Sequence, residues 1–193
     1  MLDNIVTNTT IKSTKHNNPA KIVTESDVRW AYVNIWQPIS LYNDLPRYRV
    51  CLIIPKSDTK TIENINNGIL TAYKTGSKKL IRYSGKIPPF ENIKSPLKDG
   101  DINKPYDTAF ANSFYINASS QIAPKITDIN KNIITKHSEI YSGVRGKATI
   151  IFYAYGDKNG CGIACLLCGL QKFYDDTPIG DGNTILSSIS AAN

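Results

Sequence analysis

The feature that most constrains the fold is a series of short segments in which apolar residues alternate with polar or aromatic ones. In the first, VRWAYVNIWQP, alternation predicts an inner face of Ala31, Val33 and Ile35 opposite an outer face of aromatic residues. A period of two residues is typical of a β-strand with one buried face. Further strands are predicted for four segments: RYRVCLIIP, FYINAS, GKATIIFYAYG and CGIACLLCGLQKF.

One segment between the second and third of these strands has a helical period instead. Apolar residues recur at helical spacing from Ile62 to Tyr73, and Ser57 or Asp58 can cap the first turn. The sequence therefore predicts one helix over about residues 58–75. The following residues, 77–113, are first basic and then rich in proline, glycine and aspartate, which predicts a long loop of the kind that is usually functional or mobile. Together these elements indicate a mostly β chain, built as a small and mainly antiparallel barrel or sandwich.

The charge distribution favours an anionic partner. The formal net charge is +7, but residues 1–173 carry +10 while residues 174–193 carry −3. Nucleic acid is the commonest partner of such a basic body, although a solvated surface with a mild basic excess explains the charge about equally well.

The ends of the chain are expected to differ from its centre. We predict a flexible N-terminal arm over residues 1–20, a folded domain over 21–174 and a mildly acidic C-terminal tail over 175–193. The first residues lack the apolar stretch of a signal peptide, and no apolar run approaches the ~20 residues that cross a bilayer. A cytoplasmic protein with no membrane partner and with reduced cysteines is therefore expected.

Three cysteines raise the question of a metal centre. Cys161, Cys165 and Cys168 have the C-x3-C-x2-C spacing that holds iron–sulfur clusters in radical enzymes. On a strand, however, Cys161 and Cys165 share a face and Cys168 lies on the other, so the thiolates would not converge. A zinc site would need Cys51 as a fourth ligand, since both histidines are distant in sequence. The cysteines are therefore interpreted as small buried apolar residues, and neither a metal nor a cofactor is predicted.

Large aromatic side chains interleaved with cations form the most informative pattern. Alternation places them on the outer face, where the core does not need them, and single-stranded nucleic acid binds such a surface by base stacking and phosphate contacts. The stacking candidates are Trp30, Tyr32, Trp36, Tyr115, Tyr153 and Tyr155. The phosphate candidates on the strands are Arg47, Arg49 and Lys147, and two more, Arg82 and Arg145, are at loop positions whose orientation alternation does not give.

Two alternatives remain open at this point. The outer aromatics could instead lie under the helix, under the long loop or in a subunit interface, which would make the chain a protein-interaction module without strong DNA affinity of its own. An enzyme would need an acid–base set, and Asp99 with Asp101 in LKDGD could in principle hold a nuclease metal. Because local hydrogen bonding in a turn explains that aspartate pair about as well, no catalytic residues are predicted.

The succession of segments resembles a family of tailed-bacteriophage single-stranded DNA-binding proteins, formerly a domain of unknown function, over roughly residues 21–175. The segments that carry the resemblance are VRWAYVNIWQP, YRVCLIIPKSDTKTI, PLKDGD, FYINASS, YSGVRGKATIIFYAY and NGCGIACLLCGLQKF. The resemblance implies an OB-fold-like five-stranded antiparallel barrel with one helix and long loops. It implies sequence-tolerant binding of single strands in phage replication and recombination, inside the host bacterial cytoplasm. Phage or host replication proteins and a second copy of the chain are left open as partners.

Overall fold

The computed structural model of the protein describes residues 20–41, 44–81, 85–157 and 160–180. Within these residues, eight strands form a single sheet. The strands are β1 (Lys21–Val23), β2 (Val28–Ile39), β3 (Arg47–Pro55), β4 (Leu97–Asp99), β5 (Ser113–Ser120), β6 (Lys125–Thr127), β7 (Arg145–Asp157) and β8 (Gly160–Tyr174). The α-helices are α1 (Thr59–Gly76) and α2 (Gly100–Asn103), and neither is long and apolar enough to span a membrane.

Five of the strands close a ring. The sheet runs β1–β7–β2–β3–β5–β8–β6, β4 pairs with β5, and β7 also pairs with β8, which closes the ring β7–β2–β3–β5–β8. The predicted mostly β fold with five strands and one main helix is confirmed. The pairing is not wholly antiparallel, however, because β5 and β8 run parallel. An odd number of strands cannot close with every neighbour antiparallel, so one parallel contact is unavoidable.

The core lies inside this ring, beneath α1. Val50, Leu52 and Ile54 of β3 are buried together, and so are the even-numbered residues of β7 from Ala148 to Ala154. Helix α1 contributes its apolar face to the same core. Its first turn is capped as predicted, because the Asp58 carboxylate accepts a hydrogen bond from the backbone N–H of Thr61 at 3.1 Å.

Strand β2 departs from its predicted faces because it contains a β-bulge. Ala31 pairs with Cys51 but Asn34 pairs with Arg49, so β2 has one more residue than β3 between the two pairs. Tyr32 within the bulge has a positive φ of 49°. Residues of β2 after the bulge therefore alternate between the two faces of the sheet in the opposite sense to the residues before it.

The reversal explains the main error of the sequence analysis. Ile35 after the bulge is in the core as predicted, but so is Trp30 before it, with 0% of its surface exposed. The expectation that Trp30 faces solvent is therefore wrong, and Ala31, predicted to face inward, is buried on the opposite side of the sheet.

A second, smaller cluster covers one end of the outer face of β2, β3 and β5. Phe110 from the long connection before β5 lies over Cys51 and Tyr115, and its ring meets the ring of Tyr115 edge to face at 5.3 Å. Tyr115 is only 5% exposed, so its predicted exposure is also wrong. Burial raises the pKa of the Cys51 thiol to about 12, although nearby Lys104 opposes the shift. The connection predicted as a long loop therefore acts partly as a lid, in which Phe110 covers the outer face of the sheet at Cys51 and Tyr115.

The two aspartates considered for metal chemistry are held by a lysine. The Lys56 ammonium donates to Asp99 at 2.8 Å and to Asp101 at 2.7 Å. Asp99 also accepts from the backbone N–H of Asp101, and Asp101 accepts from that of Asn112. The hydrogen bonds from Lys56 hold the pKa of both carboxyls below its usual range. This network ties β3 to the turn that follows β4.

The cysteines of the last strand lie on β8 as predicted. Cys165 is buried in the main core and Cys161 packs partly against it, whereas Cys168 lies on the outer side. Burial raises the pKa of both Cys165 and Cys168. In the described ranges, no group of three or more His, Cys, Asp or Glu side chains could hold a metal ion.

The position of Trp30 predicts a large loss of stability on truncation. Trp30→Ala should lower the free energy of unfolding by about 3–5 kcal/mol, because a fully buried indole leaves a cavity. Tyr106→Ala is the control, since Tyr106 is 99% exposed and should shift stability by less than about 0.5 kcal/mol. Urea denaturation measures both. Equal stability of the two variants would show that Trp30 is not in the core.

The Lys56 network predicts a pH-dependent contribution to stability. Both carboxyls have a lower pKa in the folded than in the unfolded state, so the contribution is complete above the unfolded value of about 3.9 and is lost as pH falls through the folded values. The Tm difference between wild type and Lys56→Met should therefore shrink below about pH 4. Lys60→Met, at the exposed pair with Glu25, is the control. A Tm difference for Lys56→Met that stays constant down to low pH would contradict this role.

Candidate nucleic-acid interface

The uncovered end of the outer face of β2, β3 and β5 is built around Arg49. Pairing of these strands places Arg49 between Asn34 and Ser119. The next row, around Cys51, is covered by Phe110, but Asn117 at its edge is exposed. The Arg49 row and Asn117 are therefore left as an open surface.

A groove of about 510 Å³ crosses this open surface from β3 to β7. Fourteen described residues line it, and among them are four cations and one acid. The cations are Arg47, Arg49, Lys94 and Lys98, and the acid is Asp44. The groove also contains Tyr153 and Tyr155. It therefore brings four of the eleven predicted site residues together.

Two of the four cations come from the connection that the sequence analysis could not orient. Lys94 is fixed by a backbone bridge to Gly162 of β8, where the N–H of Ile163 donates to the Lys94 carbonyl at 3.3 Å. Gly162 permits this approach, since a Cβ there would come within 3.1 Å of both that carbonyl and the Tyr155 hydroxyl. Lys98 is fixed because it lies on β4, where it pairs with Tyr115 of β5.

The single acid of the groove forms an ion pair with Arg49. The Asp44 carboxylate accepts from the Arg49 guanidinium, and the two side chains are 42% and 21% exposed. An exposed pair of this kind contributes only about 0–1 kcal/mol, so a phosphate group could compete for the arginine. Arg47, Lys94 and Lys98 take part in none of the ion pairs formed by the described residues.

The two tyrosines stand beside small residues. Tyr153 is opposite Ala164 and Tyr155 is opposite Gly162 in the pairing of β7 with β8. Both tyrosines are half-buried, on the outward face of β7. Ala164 therefore leaves room for a planar group beside the Tyr153 ring, whereas the Lys94 carbonyl and the Tyr155 hydroxyl fill the space above Gly162.

A smaller hollow of about 350 Å³ extends the groove past Arg49 towards Tyr32. The Lys104 ammonium donates to the Tyr32 hydroxyl at 2.9 Å and lies 4.6 Å from the centre of its ring. The Tyr32 ring is stacked on Phe110, with 6.0 Å between the ring centroids. Tyr32 is therefore at the far end of the same surface, held by the lid.

Other predicted residues lie elsewhere. Trp36 packs partly against the core, and its ring is stacked on His137 at 4.3 Å. The Arg145 guanidinium donates to Asp176 at 2.6 Å and is 3.7 Å from Asp27, so it holds the segment after β8. Arg145 in turn holds the pKa of Asp176 below its usual range.

The remaining candidates fall outside the groove in different ways. Trp30 and Tyr115 are buried, Lys147 lines another cleft, and Arg82 lies outside the described residues. Sequence reasoning missed Lys94 and Lys98 as groove residues. The length of the connection was the one signal that pointed to them, because long connections are often functional.

A closed five-stranded ring with a groove across its outer face is the architecture of the OB-fold class. Comparison with known proteins gives the family. A family model described as Enterobacter phage Enc34, ssDNA-binding protein, matches residues 20–190. The chain belongs to this family.

The chain is also similar to individual phage proteins. The chain is 34% identical over 154 residues to protein p50 of Acyrthosiphon pisum secondary endosymbiont phage 1, covering 78% of this chain and 82% of p50. Its fold resembles the single-stranded DNA-binding protein from bacteriophage Enc34 in complex with ssDNA, with a TM-score of 0.70 and 23% identity over 83% of this chain and 90% of that one.

The fold also resembles gp2.5, a single-stranded DNA-binding protein encoded by bacteriophage T7. The TM-score is 0.59 and the identity 14%, over 87% of this chain and 93% of gp2.5. At these identities the two solved structures establish a shared fold.

Proposed function

We propose that this protein binds single-stranded DNA with little sequence preference and acts in phage DNA replication or recombination in the host cytoplasm. The observation that carries the proposal is the groove, which combines four cations with two outward tyrosines on the uncovered part of the outer face. Membership of the family supports it, and so does the fold shared with the Enc34 protein, whose structure is that of a complex with ssDNA.

The chemistry of the groove suits a flexible polyanion with exposed bases. Arg47, Arg49 and the two lysines would neutralise phosphates, which releases counterions and makes affinity depend on salt. The rings of Tyr153 and Tyr155 would each stack on a base, an interaction that tolerates every base because each has a π-face. Asn117 and Ser119 supply hydrogen-bonding groups on the floor between them.

We extend the proposal to the organisation of the chain. Residues 21–174 would form the DNA-binding domain, flanked by an N-terminal arm over 1–20 and a mildly acidic tail over 175–193. The function is one of binding rather than catalysis, since the Asp99–Asp101 pair is engaged by Lys56. The alternative of a protein-interaction module differs in one measurable respect, because it requires a folded protein that fails to bind oligo-dT.

The charge of the groove predicts a specific change in salt dependence. Replacing Arg47 by Gln should make the log–log slope of affinity against salt shallower by about 0.7, the value for one phosphate on a single strand. Lys74→Gln on the exposed surface of α1 removes the same charge outside the groove and should leave the slope close to that of the wild type. Fluorescence anisotropy with labelled oligo-dT measures both. An identical slope for the two variants would show that Arg47 contacts no phosphate.

The tyrosines predict a loss of affinity without a loss of stability. Tyr153→Ala should weaken binding of oligo-dT by about 1–3 kcal/mol, the usual contribution of one stacked base, with an unchanged Tm. Tyr106→Ala is the matched control, because that ring is exposed outside the groove. Titration and thermal melting of the same samples separate the two effects. Wild-type affinity for Tyr153→Ala would rule out stacking at this position.

A further inference from the structure

A second basic cleft lies on the outer face of β1, β6, β7 and β8, outside the proposed groove. Its volume is about 360 Å³, and the eleven described residues that line it include four lysines and no acid. The lysines are Lys21, Lys125, Lys131 and Lys147. Lys147 was among the predicted phosphate contacts, whereas the other three were not.

The pairing of the four strands creates the cleft. One row joins Val23, Thr149, Gly169 and Lys125 across the sheet. The next row places Gln171 between Lys147 and Thr127. Because Gly169 at the centre of the first row has no side chain, the floor of the cleft is low there. The lysines lie around the rim of the cleft.

A local turn is built to hold Lys131 at this rim. The Gln171 amide donates to the carbonyls of Asp128 and Ile129, at 3.2 and 3.1 Å, which ties the turn to β8. Lys131 adopts a positive φ of 69°, a conformation that lysine seldom adopts and that surrounding contacts must maintain. The Asp128 carboxylate stabilises the turn by accepting from both the backbone and side-chain nitrogen of Asn132.

The positive charge of the cleft is not balanced by neighbouring acids. None of the four lysines takes part in an ion pair with any described residue. Asp128 is the acid of the adjacent turn, and Asn132 engages both of its carboxylate oxygens. Four ammonium groups around one concavity repel one another, and an anion in the cleft would relieve the repulsion. Thr127 and Thr149 add hydroxyl donors suited to phosphate oxygens.

The cleft is connected to the groove along one strand. Residues 147, 149, 151, 153 and 155 of β7 share the outward face, because the even-numbered residues between them are in the core. Lys147 lies in the cleft and Tyr153 in the groove, and six residues of extended strand separate them by about 20 Å. A single polymer could therefore contact both sites.

We propose that this lysine cleft is a second binding site for the phosphodiester backbone of DNA. The inference rests on the proposed function, because its ligand is the polymer that the groove would bind, but it uses a separate set of side chains. The backbone could belong to the strand that leaves the groove or to a duplex. Both present the same phosphates, and length and strandedness of the probe distinguish them.

The test uses the full chain with Lys21, Lys125 and Lys147 all replaced by Gln. The control triple variant, Lys60→Gln with Lys74→Gln and Lys136→Gln, removes the same charge at exposed positions that line neither site. Probes are oligo-dT of about six nucleotides, oligo-dT of about thirty nucleotides and a duplex of about thirty base pairs, since one OB fold covers roughly 4–16 nucleotides. Affinity is measured over a range of salt concentrations.

If the strand continues from the groove into the cleft, the cleft variant should bind the long oligo-dT at least tenfold more weakly than the wild type does. Its log–log slope of affinity against salt should be shallower by about 2. It should bind the short oligo-dT as the wild type does. If the cleft takes a duplex, the cleft variant should lose affinity for the duplex alone. Affinities and slopes equal to those of the control variant on every probe would overturn the proposal.

The same series separates this proposal from the proposed function. If the Arg47→Gln, Arg49→Gln double variant binds every probe like the wild type and the cleft variant is defective, the groove proposal is overturned and the cleft proposal stands. If the double variant is defective and the cleft variant binds like the wild type, the cleft proposal is overturned and the groove proposal stands. A wild-type protein that binds none of the probes would overturn both.

Discussion

The bulge at Tyr32 is the local constraint on which the arrangement of the surface depends. It lets Trp30 and Ile35, five residues apart on one strand, both enter the core, which uninterrupted alternation forbids. The same bulge directs Tyr32 towards Phe110 and Lys104 on the outer side. One extra residue in β2 thus places Trp30 in the core and Tyr32 against the lid that covers one end of the outer face.

The lid determines where the proposed binding surface lies. Phe110 covers Cys51 and Tyr115, and the part of β3 that remains open carries Arg47 and Arg49. Because apolar side chains cover one end of this face and cations line the other, positive potential is concentrated in a groove whose floor is formed by paired strands. The proposed mechanism needs no moving part, because strand pairing already orients the cations and the tyrosines.

Much of the fold could be predicted from the sequence, and less of the site. Strands without a bulge, such as β3 with Leu52 inside, follow alternation directly, and α1 follows its period and its cap. Alternation did not predict the burial of Trp30, because no glycine in the sequence marks the bulge. It did not predict the burial of Tyr115, because the covering ring, Phe110, comes from a separate segment of the chain. Lys98 could not be placed, since its orientation depends on pairing between β4 and β5. Long-range contacts determined each of these outcomes.

Photocross-linking tests the groove most directly. Oligo-dT that contains iododeoxyuridine is irradiated in complex with the full chain, and the attached peptides are identified by mass spectrometry. We expect cross-links at Tyr153 or Tyr155, with Trp30 and Tyr115 unmodified because both are buried. Cross-links confined to aromatic residues outside the groove, such as the exposed Tyr106, would show that the groove does not hold the bases.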